Sequence, residues 1–108
     1  MKKIQLGEFE ELVLLTAGLL QEEAYGISIS DELRKRTGRN PSIGALHTAL
    51  NRLENKGFLK SKLEGATENR RGRRKRFYQI TSKGAQALRH VYELRTDMIK
   101  LIPNLANR

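Results

Sequence analysis

The sequence predicts a mainly α-helical fold that contains one small β-hairpin. Three segments in the first half of the chain carry apolar residues at spacings of three and four, the repeat of a helix with one buried face. Two short segments then alternate apolar and polar residues on either side of a basic stretch, as the strands of a hairpin do. A final long segment returns to the helical spacing. With 108 residues, of which 38% are hydrophobic, the chain has the size of one domain.

The first two predicted helices open the domain. The first runs from about Gly7 to Glu22, and its acidic start suits the positive end of a helix dipole. The residues expected on its buried face are Phe9, Leu12, Val13, Thr16, Leu19 and Leu20. The second, shorter helix follows Gly26 and stops at Gly38, a residue type that commonly ends helices.

The third predicted helix has the clearest pattern. Ser42 is a favourable N-cap, and Gly57 marks the end of the helix. The apolar stripe along one side consists of Ile43, Leu46, Leu50 and Leu53. The opposite side is small or polar and consists of Gly44, Ala45, Thr48, Asn51, Arg52 and Asn55. One side is therefore expected to pack against the domain, while the other is free to contact a partner.

The hairpin and the last helix complete the predicted fold. The strands are placed at residues 58–64 and 76–80. Thr81 is a favourable N-cap for a helix that reaches about Ile102, just before Pro103. This helix carries two apolar lines. The first line is Ala87, Val91, Leu94, Met98, Leu101 and Leu105, and the second is Ala85, Leu88, Tyr92, Ile99 and Ile102.

A single small domain can cover only one of these lines, which leaves an apolar strip on the last helix. Exposed strips of this kind commonly mark a partner surface, so we expect the helix to form a symmetric homodimer interface. The predicted dimerisation residues are Val91, Leu94, Met98, Leu101 and Leu105. The alternative is that one chain buries both lines.

The charge balance favours a polyanionic partner. The chain has 21 lysines and arginines against 12 acidic residues, and its net charge of +9 attracts nucleic acid or an anionic membrane surface. Glu8, Glu10 and Glu11 separate the basic start from the apolar run at 12–20, which is wrong for a secretory signal. That run is also too short to span a bilayer. We therefore expect a cytoplasmic protein that does not bind membranes.

Catalytic chemistry finds little support in the sequence. The chain has no cysteine, which removes disulfides and thiolate metal sites, and its two histidines, His47 and His90, lie far apart. No paired-acid motif and no glycine-rich phosphate motif is present. We expect no enzymatic activity, no metal and no cofactor.

The order of three helices followed by two strands describes a winged helix-turn-helix. Residues 1–80 are expected to form the DNA-binding domain, with the recognition helix at about 42–56 and the wing at about 58–80, and residues 81–108 the dimerisation helix of the same compact unit. A recognition helix inserts its exposed side into the major groove of duplex DNA. The candidate contacts on this helix are Ser42, Gly44, His47, Thr48, Asn51 and Arg52. The alternative is a polar side that only faces water.

The predicted wing carries most of the surplus charge. Residues 70–76 hold six cations and no acid: Arg70, Arg71, Arg73, Arg74, Lys75 and Arg76. A basic loop between two strands suits contact with the phosphate backbone or the minor groove, and its alternative is a merely solubilising loop. Tyr25, just before the second helix, is a further candidate: it either binds a phosphate or packs at the helix junction.

These motifs together cover nearly the whole chain. They are residues 6–15 in the first helix, Tyr25-Gly26, the block Ser42, Gly44, Ala45, Leu46, Leu50, Arg52, Leu53, Glu54, Gly57, Phe58 and Leu59, and then Arg74, Lys75, Arg76, Tyr78, Thr81 and Gly84. In this order and spacing the chain resembles the PadR-type transcriptional regulators. The resemblance implies a dimeric winged-helix repressor, a palindromic operator and, often, a small aromatic or cationic effector.

Two departures from the family pattern stand out. His47 occupies a position where the family usually has tyrosine, and only one helix follows the wing, so a large effector cavity between subunits is not implied. The leading hypothesis is a sequence-specific repressor of transcription. The main alternative is an architectural or adaptor module that coats DNA without recognising its sequence, or that holds a protein partner.

Overall fold

The computed structural model describes residues 6–64 and 75–105. Its helices are α1 (Glu8–Leu20), α2 (Gly26–Thr37), α3 (Ile43–Asn55) and α4 (Ser82–Lys100), and its strands are β1 (Leu59–Glu64) and β2 (Lys75–Ile80). A short 3-10 helix, Gln21–Glu23, follows α1. The predicted fold class, mainly helical with a two-stranded hairpin, is confirmed. The predicted boundaries are correct to within about two residues.

Local signals explain where the helices begin and end. The Ser42 hydroxyl accepts a hydrogen bond from the Ala45 amide at 3.0 Å and so satisfies one of the free amides in the first turn of α3. Gly38 ends α2 in the left-handed conformation, with φ of 75°, and its amide donates to the Arg34 carbonyl at 2.9 Å. Glycine favours this position because it has no Cβ.

The hairpin is attached to the start of α2. β1 and β2 pair antiparallel along their whole length. On the other side of β2, the Tyr78 amide donates to the Ala24 carbonyl at 2.9 Å, and Tyr25 forms a β-bridge with Phe77. The base of the hairpin therefore has a fixed position relative to the helix-turn-helix.

One hydrophobic core joins α1, α2, α3, the hairpin and the first turns of α4. The largest fully buried side chains are Val13, Leu14, Ile29, Leu33, Leu50, Leu53 and Leu59. Burial of a leucine or isoleucine side chain contributes about 1.5–3 kcal/mol, so this core is the main source of stability. The core stripe predicted for α3 is confirmed at Leu46, Leu50 and Leu53.

Two residues that the sequence placed in the core are exposed. Ile43 is 76% exposed because it is the first residue of α3, where the helix projects beyond the core. Leu19 is 44% exposed. It shares a side of α1 with the exposed Leu15, four residues earlier, so the buried face of α1 is narrower than predicted.

α4 packs against the domain through its first half only. Ala87 is buried, and Leu88 and Val91 are half-buried. Beyond them both predicted apolar lines are exposed, and we call this region the α4 apolar end: Tyr92, Leu94, Met98, Ile99, Leu101, Ile102 and Leu105. The prediction of one covered line and one exposed line along the entire helix is therefore wrong. α4 ends at Lys100, so the placement of Leu105 on a helical line is also wrong.

The start of α4 lies directly against the start of the hairpin. A Cβ atom on Gly84 would lie 2.2 Å from the Phe58 carbonyl oxygen. The same carbonyl accepts a hydrogen bond from the Thr81 amide at 3.1 Å, and the Thr81 hydroxyl donates to the Gly57 carbonyl at 2.6 Å. We call these four residues, Gly57, Phe58, Thr81 and Gly84, the α3–α4 junction. Only glycine at position 84 allows the backbones to approach this closely.

The junction predicts a large effect for Gly84→Ala. The added methyl group must displace backbone atoms, so we expect a loss of about 3 kcal/mol in the free energy of unfolding, measured by urea denaturation. Gly26→Ala is the matched control, because a Cβ there meets nothing within 4 Å. Equal stability of the two variants would contradict the close contact at the junction.

Candidate nucleic-acid interface

The outer side of α3 is the centre of the candidate interface. Its inner side is held in the core by Leu46, Ala49, Leu50 and Leu53, which are all buried. The candidate contacts predicted on this helix are all exposed: Ser42, Gly44, His47, Thr48, Asn51 and Arg52. The structure thus brings these six residues together on one helix, with an apolar anchor behind them.

The polar groups on this side are available to a partner. Within residues 6–64 and 75–105, the side chains of His47, Thr48 and Asn51 form no hydrogen bond and no ion pair. The Ser42 hydroxyl, in contrast, already accepts the Ala45 amide as a helix cap. Ser42 therefore has a structural role, and its hydroxyl proton can still be donated to a phosphate.

Two ion pairs fix α3 and the preceding turn against α1. The Lys56 ammonium, just after α3, donates to Glu10 Oε1 at 2.7 Å, and the Gly7 amide donates to the same oxygen at 3.1 Å. In the turn before α3, one guanidinium nitrogen of Arg39 contacts both carboxylate oxygens of Glu8, at 2.9 and 2.7 Å. Both ends of α3 are thereby tied to the first turn of α1.

Glu10 is the acid in this arrangement whose ionisation is perturbed. Burial alone would raise its pKa, but the hydrogen bonds from Lys56 and Gly7 and the nearby charges of Lys56 and Arg52 outweigh burial and lower the pKa below its ordinary value. The ionised carboxylate is therefore favoured in the folded chain. It stabilises the fold at neutral pH, and this contribution is lost as the pH falls through the lowered pKa.

An aromatic cluster supports the base of the wing. The rings of Tyr25 and Phe77 meet edge to face with centroids 5.3 Å apart. The Lys75 ammonium lies 3.8 Å from the centre of the Tyr25 ring, within the range of a cation–π contact. This packing holds a cation at the first residue of β2, while a phosphate contact by the Tyr25 hydroxyl stays a prediction.

Of the remaining basic residues of the wing, the structure describes Arg76. The Arg76 guanidinium donates to the Ser61 hydroxyl at 3.0 Å, and that hydroxyl donates to Glu54 at 2.7 Å, which ties β2 and β1 to α3. The predicted phosphate contacts Arg70, Arg71, Arg73 and Arg74 lie outside the described residues. They stay predictions.

Three features of this region were not predicted from the sequence. The Glu10–Lys56 pair was not predicted, although an acid three residues before the buried Val13 indicates a buried charge that needs a partner. The Phe77 ring was not linked to Tyr25, because a contact over 52 positions leaves no local pattern. The exposure of Ile43 was missed because helical spacing does not show where a core ends.

Among the described residues, the structure offers neither a metal site nor a membrane span. No three histidine, aspartate or glutamate side chains in residues 6–64 and 75–105 gather as metal ligands. In the same part of the chain, no helix is long and apolar enough to cross a bilayer.

Three helices followed by an antiparallel hairpin form a winged helix. The exposed polar side of the third helix, α3, is typical of winged-helix proteins that bind DNA. The profile of the Transcriptional regulator PadR-like family matches residues 14–90, most of the chain. The chain therefore belongs to the PadR-like family of transcriptional regulators, as its motifs predicted. These proteins are DNA-binding regulators of transcription.

Solved structures agree with this assignment. A PadR family transcription regulator from hypervirulent Clostridium difficile R20291 is 26% identical, with a TM-score of 0.67 over 87% of this chain and 92% of that chain. A PadR-like transcription factor from Bacteroides fragilis is 25% identical, with a TM-score of 0.69 over 83% and 82%. A PadR-like regulator from Bacillus cereus strain ATCC 14579, at 22% identity and a TM-score of 0.66 over 85% and 84%, supports the fold. No curated protein matches the chain significantly.

The Glu10 contacts predict a pH-dependent effect of Glu10→Gln. At pH 7 the variant should lose about 2 kcal/mol in the free energy of unfolding, because a charge-assisted, largely buried contact is broken. As the pH falls below the ordinary glutamate pKa and through the lowered pKa of Glu10, the wild-type carboxylate takes up a proton, so the two stabilities should converge. Glu8→Gln, in the exposed pair with Arg39, should cost under about 1 kcal/mol. A Glu10→Gln deficit that is constant from pH 7 to pH 3 would contradict this account.

Two substitutions of Tyr25 separate support of the wing from phosphate binding. Tyr25→Phe keeps the ring beside Phe77 and under Lys75, so it should bind duplex DNA within about twofold of wild type. Tyr25→Ala removes the ring and should weaken binding about fivefold, as expected for the loss of one cation–π contact. Fluorescence anisotropy at low salt measures both affinities, and thermal denaturation verifies folding. A large loss in Tyr25→Phe would instead assign the hydroxyl to a phosphate.

Proposed function

We propose that this regulator is a homodimeric repressor that binds a near-palindromic DNA sequence. The observation that carries the proposal is the outer side of α3, where His47, Thr48 and Asn51, which form no hydrogen bond or ion pair with the described residues, are held in place by the buried leucine stripe behind them. Rigid presentation matters because base recognition depends on the position of each donor and acceptor. The net charge of +9 supplies the attraction to DNA that such a helix needs.

The side chains on α3 suit different parts of a DNA duplex. An asparagine such as Asn51 can pair with adenine through two hydrogen bonds, and Arg52 can pair with guanine or bind a phosphate. Thr48 and His47 lie on the same exposed side and can contact bases or phosphates. Gly44 leaves room for the DNA backbone to approach the start of the helix. Tyr25 and Ser42 are proposed to position the wing and the recognition helix.

The wing is proposed to bind the phosphate backbone. Lys75 stands at its base over the Tyr25 ring, and the sequence places Arg70, Arg71, Arg73 and Arg74 directly before it. Contacts of this kind add affinity on every sequence, while the base contacts of α3 add specificity. The two elements therefore have separable roles.

The α4 apolar end is proposed to form the dimer interface. Leu94 and Met98 are 51% and 60% exposed, on a helix whose first half is packed. The exposed Leu15 and Leu19 on α1 add apolar surface, and an ion pair of 3.0 Å between Arg95 and Glu11 joins the two helices. A second copy related by a two-fold axis would cover these side chains.

A two-fold dimer constrains the DNA site. Its two recognition helices should lie about 34 Å apart, one turn of B-DNA, on a near-palindromic sequence. Repression would follow where that site overlaps a promoter. A small-molecule effector stays an expectation that rests on the family resemblance.

An architectural role is the second candidate, and the basic wing favours it equally. Such a module would bind all sequences alike and lose affinity steeply with salt, because its binding depends on the release of counterions. Sequence preference in the presence of competitor DNA distinguishes the two candidates.

Substitutions on α3 and in the wing should have different effects. Asn51→Ala should relax the preference at particular base pairs, with a loss of about tenfold on the preferred site and little change on other sequences. Arg73→Ala with Arg74→Ala should weaken binding to all sequences and reduce the salt slope by about 2 per subunit. Asn55→Ala is the control, because Asn55 is exposed at the last residue of α3, away from the start of the helix, and its loss should leave the sequence preference unchanged. An equal loss on every sequence for Asn51→Ala would count against base recognition.

The dimer interface is tested by adding charge to the α4 apolar end. Leu94→Lys combined with Met98→Lys should give a monomer in light scattering, because two desolvated ammonium groups cannot be accommodated in an apolar interface. Glu93→Lys changes the net charge by the same +2, but on the polar side of α4, and should remain dimeric. A dimer that persists in the double variant would refute this interface.

A further inference from the structure

Ile43 is a large apolar residue whose side chain is exposed at the start of α3. It is 76% exposed, while the other members of its stripe, such as Leu46 and Leu50, are buried. Exposure of a large aliphatic side chain leaves about 1.5–3 kcal/mol of favourable transfer free energy unused in the free chain. A partner that covers Ile43 would recover it.

The position of Ile43 in the fold indicates which partner this is. Ile43 is the first residue of α3, directly after the Ser42 cap that fixes the entry into the helix. Side chains of a helix lean toward its N-terminus, so the isoleucine projects past the start of α3 and away from the core. This is the end of a recognition helix that contacts base edges in helix-turn-helix proteins.

The neighbours of Ile43 leave its side chain accessible to a base. Gly44 and Ala45 follow it and are small and exposed. His47, four residues later and next to Ile43 on the helix surface, is also exposed. An apolar side chain therefore stands at the tip of an otherwise polar surface, beside groups suited to hydrogen bonding.

We propose that Ile43 is a specificity-determining residue that contacts the C5 methyl group of thymine in each half-site. The thymine methyl is the apolar group that base pairs present in the major groove, and side chains without polar atoms recognise it by contact. Replacement of thymine by cytosine at that position would remove the methyl group that the isoleucine contacts and would replace the neighbouring O4 by an amino group, which the isoleucine cannot pair with. This inference rests on the proposed function, because it requires α3 to lie in the major groove.

The experiment removes the methyl group from the DNA and the side chain from the protein. A duplex is first selected by the wild-type chain from a randomised pool, and each thymine in it is then replaced by deoxyuridine, symmetrically in both half-sites. Affinities are measured by anisotropy for wild type, Ile43→Ala and Ile27→Ala. Ile27 is the matched control, an isoleucine that is 69% exposed in the first turn of α2.

The proposal predicts one thymine position at which deoxyuridine weakens wild-type binding by about fourfold per half-site, the effect of one buried methyl group. In Ile43→Ala that loss should fall below about twofold, while Ile27→Ala should retain it in full. An undiminished deoxyuridine effect in Ile43→Ala, or no sensitive thymine in wild type, would overturn the assignment while leaving sequence-specific binding intact. Failure to select any preferred duplex would overturn the proposed function and this inference together.

Discussion

The close contact at the α3–α4 junction is the constraint on which the rest of the structure depends. The Phe58 carbonyl meets the Gly84 backbone and the Thr81 amide, and Thr81 also binds the Gly57 carbonyl. The end of α3, the start of β1, the end of β2 and the start of α4 therefore meet at this junction. No side chain could fit at position 84 without moving one of these elements, so their relative positions are set by backbone contact.

In the proposed function, this geometry links DNA binding to dimerisation. In the proposed dimer, the spacing of the two recognition helices depends on how α4 leaves the domain, and that direction is set at the junction and by the ion pair between Arg95 and Glu11. The base of the hairpin is fixed separately, through the bridge between Tyr25 and Phe77 and the Ala24–Tyr78 hydrogen bond. α3, the base of the hairpin and the first half of α4 thus have fixed relative positions, which suits the half-site of fixed spacing that the proposed dimer requires.

Much of this structure could be predicted from the sequence, because helical and strand periodicities are local. The four helices, the hairpin, the Ser42 and Thr81 caps and the exposed side of α3 all followed from spacing and residue type, and the PadR motifs predicted the family. The features that the sequence did not predict have a different origin. Ile43 is exposed because α3 begins outside the core, and Leu19 is exposed because the buried face of α1 is narrower than its apolar pattern. The Glu10–Lys56 pair joins residues 46 positions apart. Periodicity contains no information on either feature, since both depend on tertiary packing.

The central claim is that the chain recognises a DNA sequence. It is tested most directly by the anisotropy of a labelled duplex from the gene's own upstream region, compared with a scrambled duplex of equal length and composition at low and near-physiological salt. A sequence-specific, autoregulating repressor should bind the upstream duplex at least about a hundredfold more tightly, with the difference retained at the higher salt. Equal binding to both duplexes that disappears as salt is raised would contradict the account and favour an architectural protein.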